Sequence, residues 1–224
     1  MAGSGGSRLH SSSAVVWSEN VKVEGQALTL CFPTPIWRLE FSDYASVNEA
    51  ILAELEAIGW EQLDERQRAI IHPSHSFSED RFVTLEEVPS LRVILDFFVS
   101  ACNAIARERN WDLREKQVEL QNYWVHVTPP GEVTQHHDHK PSLFSGAYYV
   151  DKPKDSGDLV FVDVNPYHEY SPRVLPGTTD PITRSEIIME AEAGTMLIFP
   201  GWLPHKVPRN NSERRRISIS FNTI

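Results

Sequence analysis

Apolar positions recur at helical spacing in the first half of the chain and at strand spacing in the second. Ile51, Leu55 and Ile58 fall on one face of a helix, and Ser46-Val47-Asn48-Glu49 just before them has the form of a capping box. Leu91, Ile94, Phe98, Ala101 and Ile105 form a second stripe, which predicts a helix from about Ser90 to Arg107. From Gln117 onward the apolar runs are short and are broken by Gly, Pro and Asn, as strands are. Helices first and strands afterwards predict an α+β, mainly β fold, a jelly roll buttressed on one outer face by N-terminal helices.

The C-terminal segment is the most regular. Gly194 to Pro200 reads as a turn, a buried strand and a stop, and His205 follows shortly after. Pro208-Arg209-Asn210-Asn211-Ser212 is a concentrated turn signal, so a hairpin centred near Asn210 and Asn211 is expected, with His205 roughly opposite Arg216. On the return strand Arg216, Ser218, Ser220 and Asn222 share one face, and Ile217, Ile219 and Phe221 share the other. By the same alternation Asn122, Trp124 and His126 share a face of an earlier strand, as do Ser145 and Tyr149 of the next.

Chemistry concentrates in His136-His137-Asp138-His139. Residues two apart on a strand point the same way, so the cluster offers one metal either His137 with His139 or His136 with Asp138. With His205, the first choice gives three histidines and the second gives two histidines and a carboxylate. Spacing alone leaves both open. Imidazole suits iron, zinc, copper and nickel, and a few strand-borne ligands with open positions suit a non-haem Fe(II) oxygenase. A guanidinium turned into a barrel is costly unless paired, and its planar fork matches a carboxylate, so Arg216 with Ser218 reads as an anion clamp.

Composition bounds these readings. The 224 residues, 41% of them hydrophobic, suffice for one substantial core, which predicts a tail over 1–25 and a single domain over 26–224, with helical support at about 45–110 and a jelly-roll core at about 117–224. The tail is Gly/Ser-rich, reads as disordered, and lacks a secretory signal or membrane span, so a cytoplasmic protein with no membrane partner is expected; its serine content and few acids are also compatible with organellar targeting. Cys31 and Cys102 lack metal-site spacing and read as buried thiols. A net charge of −10 repels phosphate backbones, so the expected substrate is a small molecule or a protein and not nucleic acid. His72 and His75 read as a surface loop, His10 and His168 as incidental, and the proline-rich stretch from Pro166 to Arg184 as a long loop over the site or an exposed insertion. Oligomeric state is open.

Three strings together, HHDHKPSLFSGAYYV, GTMLIFPGWLPHKVPRNN and RRISISFN, resemble the small 2-oxoglutarate and Fe(II)-dependent oxygenases, and the earlier LCFPTPIW is similar to that family's first strand. The resemblance runs from Leu30 to Asn222. It implies a double-stranded β-helix with Fe(II) and 2-oxoglutarate as cofactors, His137, His139 and His205 as metal ligands, and Arg216 and Ser218 on the distal carboxylate of 2-oxoglutarate. Asn122 and Tyr149 are candidates for further contacts to that cosubstrate. Lys140 departs from the family, which commonly has proline there. The implied reaction couples decarboxylation of 2-oxoglutarate to hydroxylation by O2. Two alternatives stand beside it. One is a three-histidine cupin-type dioxygenase that does not use 2-oxoglutarate, with Arg216 and Ser218 binding the substrate's own carboxylate. The other is a non-catalytic metal-binding jelly-roll protein.

Overall fold

Nine strands and two helices, described in a computed structural model over residues 33–59, 83–113, 116–165 and 184–224, form two antiparallel sheets with the helices outside them. In chain order these are β1 (Trp37–Glu40), α1 (Tyr44–Ala57), α2 (Leu91–Glu108), β2 (Leu120–Thr128), β3 (Thr134–His137), β4 (Phe144–Asp151), β5 (Leu159–Val162), β6 (Glu186–Met189), β7 (Thr195–Pro200), β8 (His205–Val207) and β9 (Arg216–Thr223). The larger sheet has the order β1-β7-β4-β9-β2 and the smaller β3-β8-β5-β6. This is the mainly β jelly roll expected from the sequence. The expected tail, His10, Cys31, His72, His75, His168 and the stretch 166–183 lie outside the described residues.

Alternation along the strands of the larger sheet divides the interior into two cores. Phe144, Tyr148, Val150, Met196, Ile198, Ile217, Ile219 and Phe221 turn outward and pack with Ile51, Leu55, Leu91, Ile94, Phe98 and Cys102 of the helices. Tyr149, Leu197 and Phe199 turn inward and meet Leu159, Phe161 and Val207 of the smaller sheet. Gly146 sits beneath Phe98 of α2. A Cβ there would lie 2.6 Å from Phe221 and 2.8 Å from both Phe98 and the Leu197 carbonyl, so glycine is what lets Phe98 stack on Phe221 with ring centroids 3.6 Å apart. Burial of side chains of this size contributes roughly 1.5–3 kcal/mol each.

The helices begin differently from expectation. α1 starts at Tyr44 with Asp43 as its N-cap and no side-chain cap bond, so the capping box at Ser46 does not form; the Ser46 hydroxyl instead donates to the Asp43 carbonyl from within the first turn. Ile58 is the C-cap and is exposed, leaving Ile51 and Leu55 as the buried apolar residues of this helix, with Val47 and Leu52 packed beside them. α2 matches its predicted span to within a residue, with Cys102 rather than Ala101 fully buried at its centre. Glu54 joins the two helices by accepting from both the Ser90 amide and the Ser90 hydroxyl.

The expected hairpin over Asn210 and Asn211 does not exist, because β8 pairs with β3 and β5 while β9 pairs with β2 and β4 in the other sheet. The turn-rich segment carries the chain from one sheet to the other. Asn210 fixes the crossing: its side-chain amide donates to the carbonyls of Thr128 and Arg214, its backbone amide donates to Glu132, and its carbonyl accepts from Gly131. A run of turn residues marks a reversal of direction but not the sheet that receives the next strand, and that distinction decides what faces His205.

Candidate metal centre

His205 is opposed by His137, not by Arg216. Directly opposed residues on an antiparallel pair project from the same face, so β3 and β8 present two imidazoles together. β3 ends at His137, and two residues on the His139 amide donates to the Gly201 carbonyl at 2.8 Å, with the His139 ring on the same side as that of His137. Ring centroids are 4.3 Å apart for His137 and His205, 4.9 Å for His137 and His139, and 5.0 Å for His139 and His205. One nitrogen from each lies within 4.8 Å of the others, a spread that small side-chain adjustments bring onto one ion with bonds of about 2 Å.

Backbone carbonyls set the tautomers. His205 Nδ1 lies 2.9 Å from the Leu203 carbonyl and His137 Nδ1 lies 2.7 Å from that of Gln135. A carbonyl can only accept, so each Nδ1 carries the proton and each Nε2 keeps its lone pair for a metal. Burial, reinforced by the neighbouring His137, lowers the pKa of His205 to about 3 and that of His139 to about 4. Both are neutral donors at physiological pH.

Asp138 belongs to the opposite phase. It accepts from Lys140 through both the backbone amide and the ammonium, the latter at 3.0 Å, and the hydrogen bond from that lysine side chain holds its carboxyl below the usual range. His136 is exposed as well. Among the described residues the histidine trio is the cluster able to hold a metal, and its donor set of three neutral imidazoles fits a divalent first-row ion.

Arg216 reaches the same cavity from the other sheet. The lining includes Trp124, His126, Tyr149, Arg216 and Ser218 together with the three histidines. Arg216 is 2% exposed, and burial lowers its pKa from the ordinary arginine value. Its Nη1 donates to the carbonyls of Ser156 at 2.8 Å and Gly157 at 3.2 Å, and its Nη2 donates to the Thr128 hydroxyl at 2.9 Å. Nε is buried with no hydrogen-bond acceptor, and among the described residues no carboxylate forms an ion pair with this side chain. Among the described residues, then, this buried cation is held by neutral oxygens, an arrangement that leaves its charge uncompensated beside the histidine trio.

The remaining predicted residues divide. Ser218 and Tyr149 line the cavity and are cross-strand partners in the β4–β9 ladder. Burial pushes the Tyr149 phenol up to about 12, so it remains a hydrogen-bond donor. Asn122 is not in the lining. It lies near the far end of β2, where the register slips, and its Oδ1 accepts from the Asn222 amide, whose own Oδ1 accepts from Ser145. Thr128 and the Ser156–Gly157 carbonyls were not expected from the sequence. Thr128 extends the alternation Asn122, Trp124, His126 by one step and was accessible by that signal; the carbonyls carry no side-chain signature.

Residues 122–222 match the model of a family described as "Putative 2OG-Fe(II) oxygenase". No curated protein matches the chain. Solved structures with a similar fold include a Pseudomonas putida prolyl-4-hydroxylase, 17% identical with a TM-score of 0.51, covering 84% of this chain and 87% of that one. AviO1 from Streptomyces viridochromogenes Tue57 is 13% identical with a TM-score of 0.57, covering 85% and 89%. HygX from Streptomyces hygroscopicus, solved with nickel and 2-oxoglutarate bound, is 15% identical with a TM-score of 0.53, covering 85% and 82%. The shared fold is the double-stranded β-helix.

Proposed function

We infer that this chain, whose residues 122–222 match the 2OG-Fe(II) oxygenase family model, is an Fe(II)- and 2-oxoglutarate-dependent dioxygenase that hydroxylates a small-molecule or protein substrate. The observation that carries the reading is Arg216, a buried guanidinium that has no carboxylate partner among the described residues and lines the cavity that holds the histidine trio. Bound iron would supply O2 activation coupled to decarboxylation, so that 2-oxoglutarate, O2 and a substrate C–H become succinate, CO2 and C–OH.

The chain's own residues would then act as follows. His137, His139 and His205 would hold the metal, His137 and His205 through the Nε2 that their Nδ1 contacts leave free. Arg216 takes the distal carboxylate of 2-oxoglutarate, the Ser218 hydroxyl adds a hydrogen bond, and the Tyr149 phenol donates from the facing strand. Leu159, Phe199 and Val207 keep the cavity wall apolar, which strengthens these polar contacts and excludes water. Asn122 contributes through Asn222 rather than by touching the cosubstrate.

Three neutral ligands also suit a dioxygenase that dispenses with 2-oxoglutarate. Succinate formation under Fe(II), ascorbate and 2-oxoglutarate separates the two: stoichiometric succinate supports the first, and O2 uptake without succinate supports the second. A chain of net charge −10 disfavours nucleic acid as substrate, and no helix among the described residues is long and apolar enough to cross a membrane.

A further inference from the structure

The turn between β4 and β5 holds Arg216 and carries a charge pair with no assigned part in the site. Lys152 Nζ lies 2.7 Å from Asp158 Oδ1, and the lysine side chain is 7% exposed. Asp158 directly follows Gly157, whose carbonyl accepts from Arg216 Nη1. Gly157 has φ +89°, and a Cβ there would lie 2.7 Å from the Pro208 carbonyl and 3.2 Å from Arg216 Nη1, so the turn is pressed against the guanidinium. The charge of Asp158 is felt at both Arg216 and Tyr149: it partly offsets the lowering that burial imposes on the arginine and adds to the rise that burial imposes on the phenol. Yet this carboxylate pairs with Lys152 and not with Arg216.

A carboxylate one residue from a contact of a buried arginine is that arginine's natural competitor partner, because the guanidinium fork fits any carboxylate. If Asp158 turned onto Arg216, the clamp would be filled from within. A lysine ammonium is a compact point charge, and here it is buried against Asp158, where breaking the pair would leave an uncompensated charge. The nearby cation lacking a carboxylate is Arg216.

We propose that Lys152 is a positioning residue that holds Asp158 off Arg216 and so keeps the guanidinium open to the distal carboxylate of the cosubstrate. This rests on the 2-oxoglutarate reading above. The test is calorimetric titration of 2-oxoglutarate into full-length, Mn(II)-loaded protein for the wild type, Lys152→Met, Lys152→Arg, Asp158→Asn and the Lys152→Met/Asp158→Asn double variant. Lys152→Met, which frees Asp158, weakens binding by roughly tenfold or more. Lys152→Arg, Asp158→Asn and the double variant stay within about threefold of wild type, since none leaves a free carboxylate beside the clamp. Wild-type affinity in Lys152→Met overturns the proposal, as does equally weak binding in Asp158→Asn and the double variant, which would make the pair a staple of the turn. Should Lys152→Met fail to fold, Asp158→Asn and the double variant decide: binding within about threefold of wild type in both upholds the proposal, and binding weakened about tenfold in either overturns it. A wild type that binds Mn(II) but not 2-oxoglutarate overturns the cosubstrate reading and this proposal together, whereas failure in Lys152→Met alone leaves that reading standing.

Discussion

His137 and His205 oppose each other across the β3–β8 pair with ring centroids 4.3 Å apart, and each has its Nδ1 at a backbone carbonyl two residues earlier in its own chain segment. The repeated geometry means that strand pairing alone aims both Nε2 atoms at one point. His139 joins them from just beyond the strand, on the amide bond to Gly201.

Metal content therefore follows the odd-numbered phase. Alanine at His139 or His205 removes one of three ligands and is expected to abolish stoichiometric Fe(II) or Co(II) binding, measured by elemental analysis after desalting. Asp138→Ala is expected to retain it, because that carboxylate is paired with exposed Lys140, an interaction worth about 1 kcal/mol or less. Metal retained in His139→Ala and lost in Asp138→Ala would overturn the three-histidine assignment.

Arg216 was identifiable in the sequence, but its setting was not. Strand alternation and the R-I-S-I-S-F-N string located Arg216 and Ser218 on an inward face, and the helix stripes located the buttress. Opposition of His205 to Arg216 failed because turn residues report a change of direction while sheet assignment depends on contacts far away along the chain. The metal phase was undecidable from spacing since both two-residue pairs satisfy strand alternation; the register of β3 on β8 places His137, not His136, opposite His205. Asn122 shows a related limit of alternation: it shares the inward face but is not among the residues lining the cavity, and its Oδ1 accepts from Asn222.

Thr128 orients the clamp. Its hydroxyl is the acceptor for Arg216 Nη2, and Thr128→Val keeps the shape while leaving that buried donor unmatched, a cost of about 1–3 kcal/mol. If the guanidinium tilts to find another acceptor, 2-oxoglutarate binding weakens by about tenfold for each 1.4 kcal/mol lost from the bound state. Titration of metal-loaded protein reads this directly, with metal affinity expected to stay at the wild-type level. An unchanged 2-oxoglutarate affinity would show that Thr128 does not orient Arg216.

Acid should destabilise the metal-free protein over a defined window. His139 and His205 have folded pKa values of about 4 and about 3, below the ordinary 6.5, because burial disfavours the charged form. The unfolded chain then binds more protons between 6.5 and those values, so stability present above pH 6.5 falls as pH drops and levels off once the folded values are passed. At pH 5 the loss is on the order of 2 kcal/mol per histidine. Denaturant melts of metal-free protein at pH 7.5 and pH 5, compared with His139→Gln, check it: the variant should lose less stability over that interval.

Gly146 couples the buttress to the cavity, because it lines the site on one face of the sheet and allows Phe98 to stack on Phe221 on the other. The Cβ of Gly146→Ala would meet Phe221 at 2.6 Å and the Leu197 carbonyl at 2.8 Å. Backbone oxygen cannot swing aside as a side chain can, so the strain must be relieved by shifting β4 against β7 or lifting α2 from the sheet. Overpacking of this kind costs about 1–3 kcal/mol, and in a domain of this size each kcal/mol lowers Tm by about 2–4 °C. If α2 lifts, Phe98→Leu, which shortens the side chain above the new methyl, should recover part of the loss without restoring glycine. If β4 shifts instead, the loss persists in the double variant and is accompanied by weaker 2-oxoglutarate binding, since Tyr149 lies on that strand. Thermal melts and cosubstrate titrations of the single and double variants distinguish the two responses, and a wild-type Tm in Gly146→Ala would refute the close packing at this position.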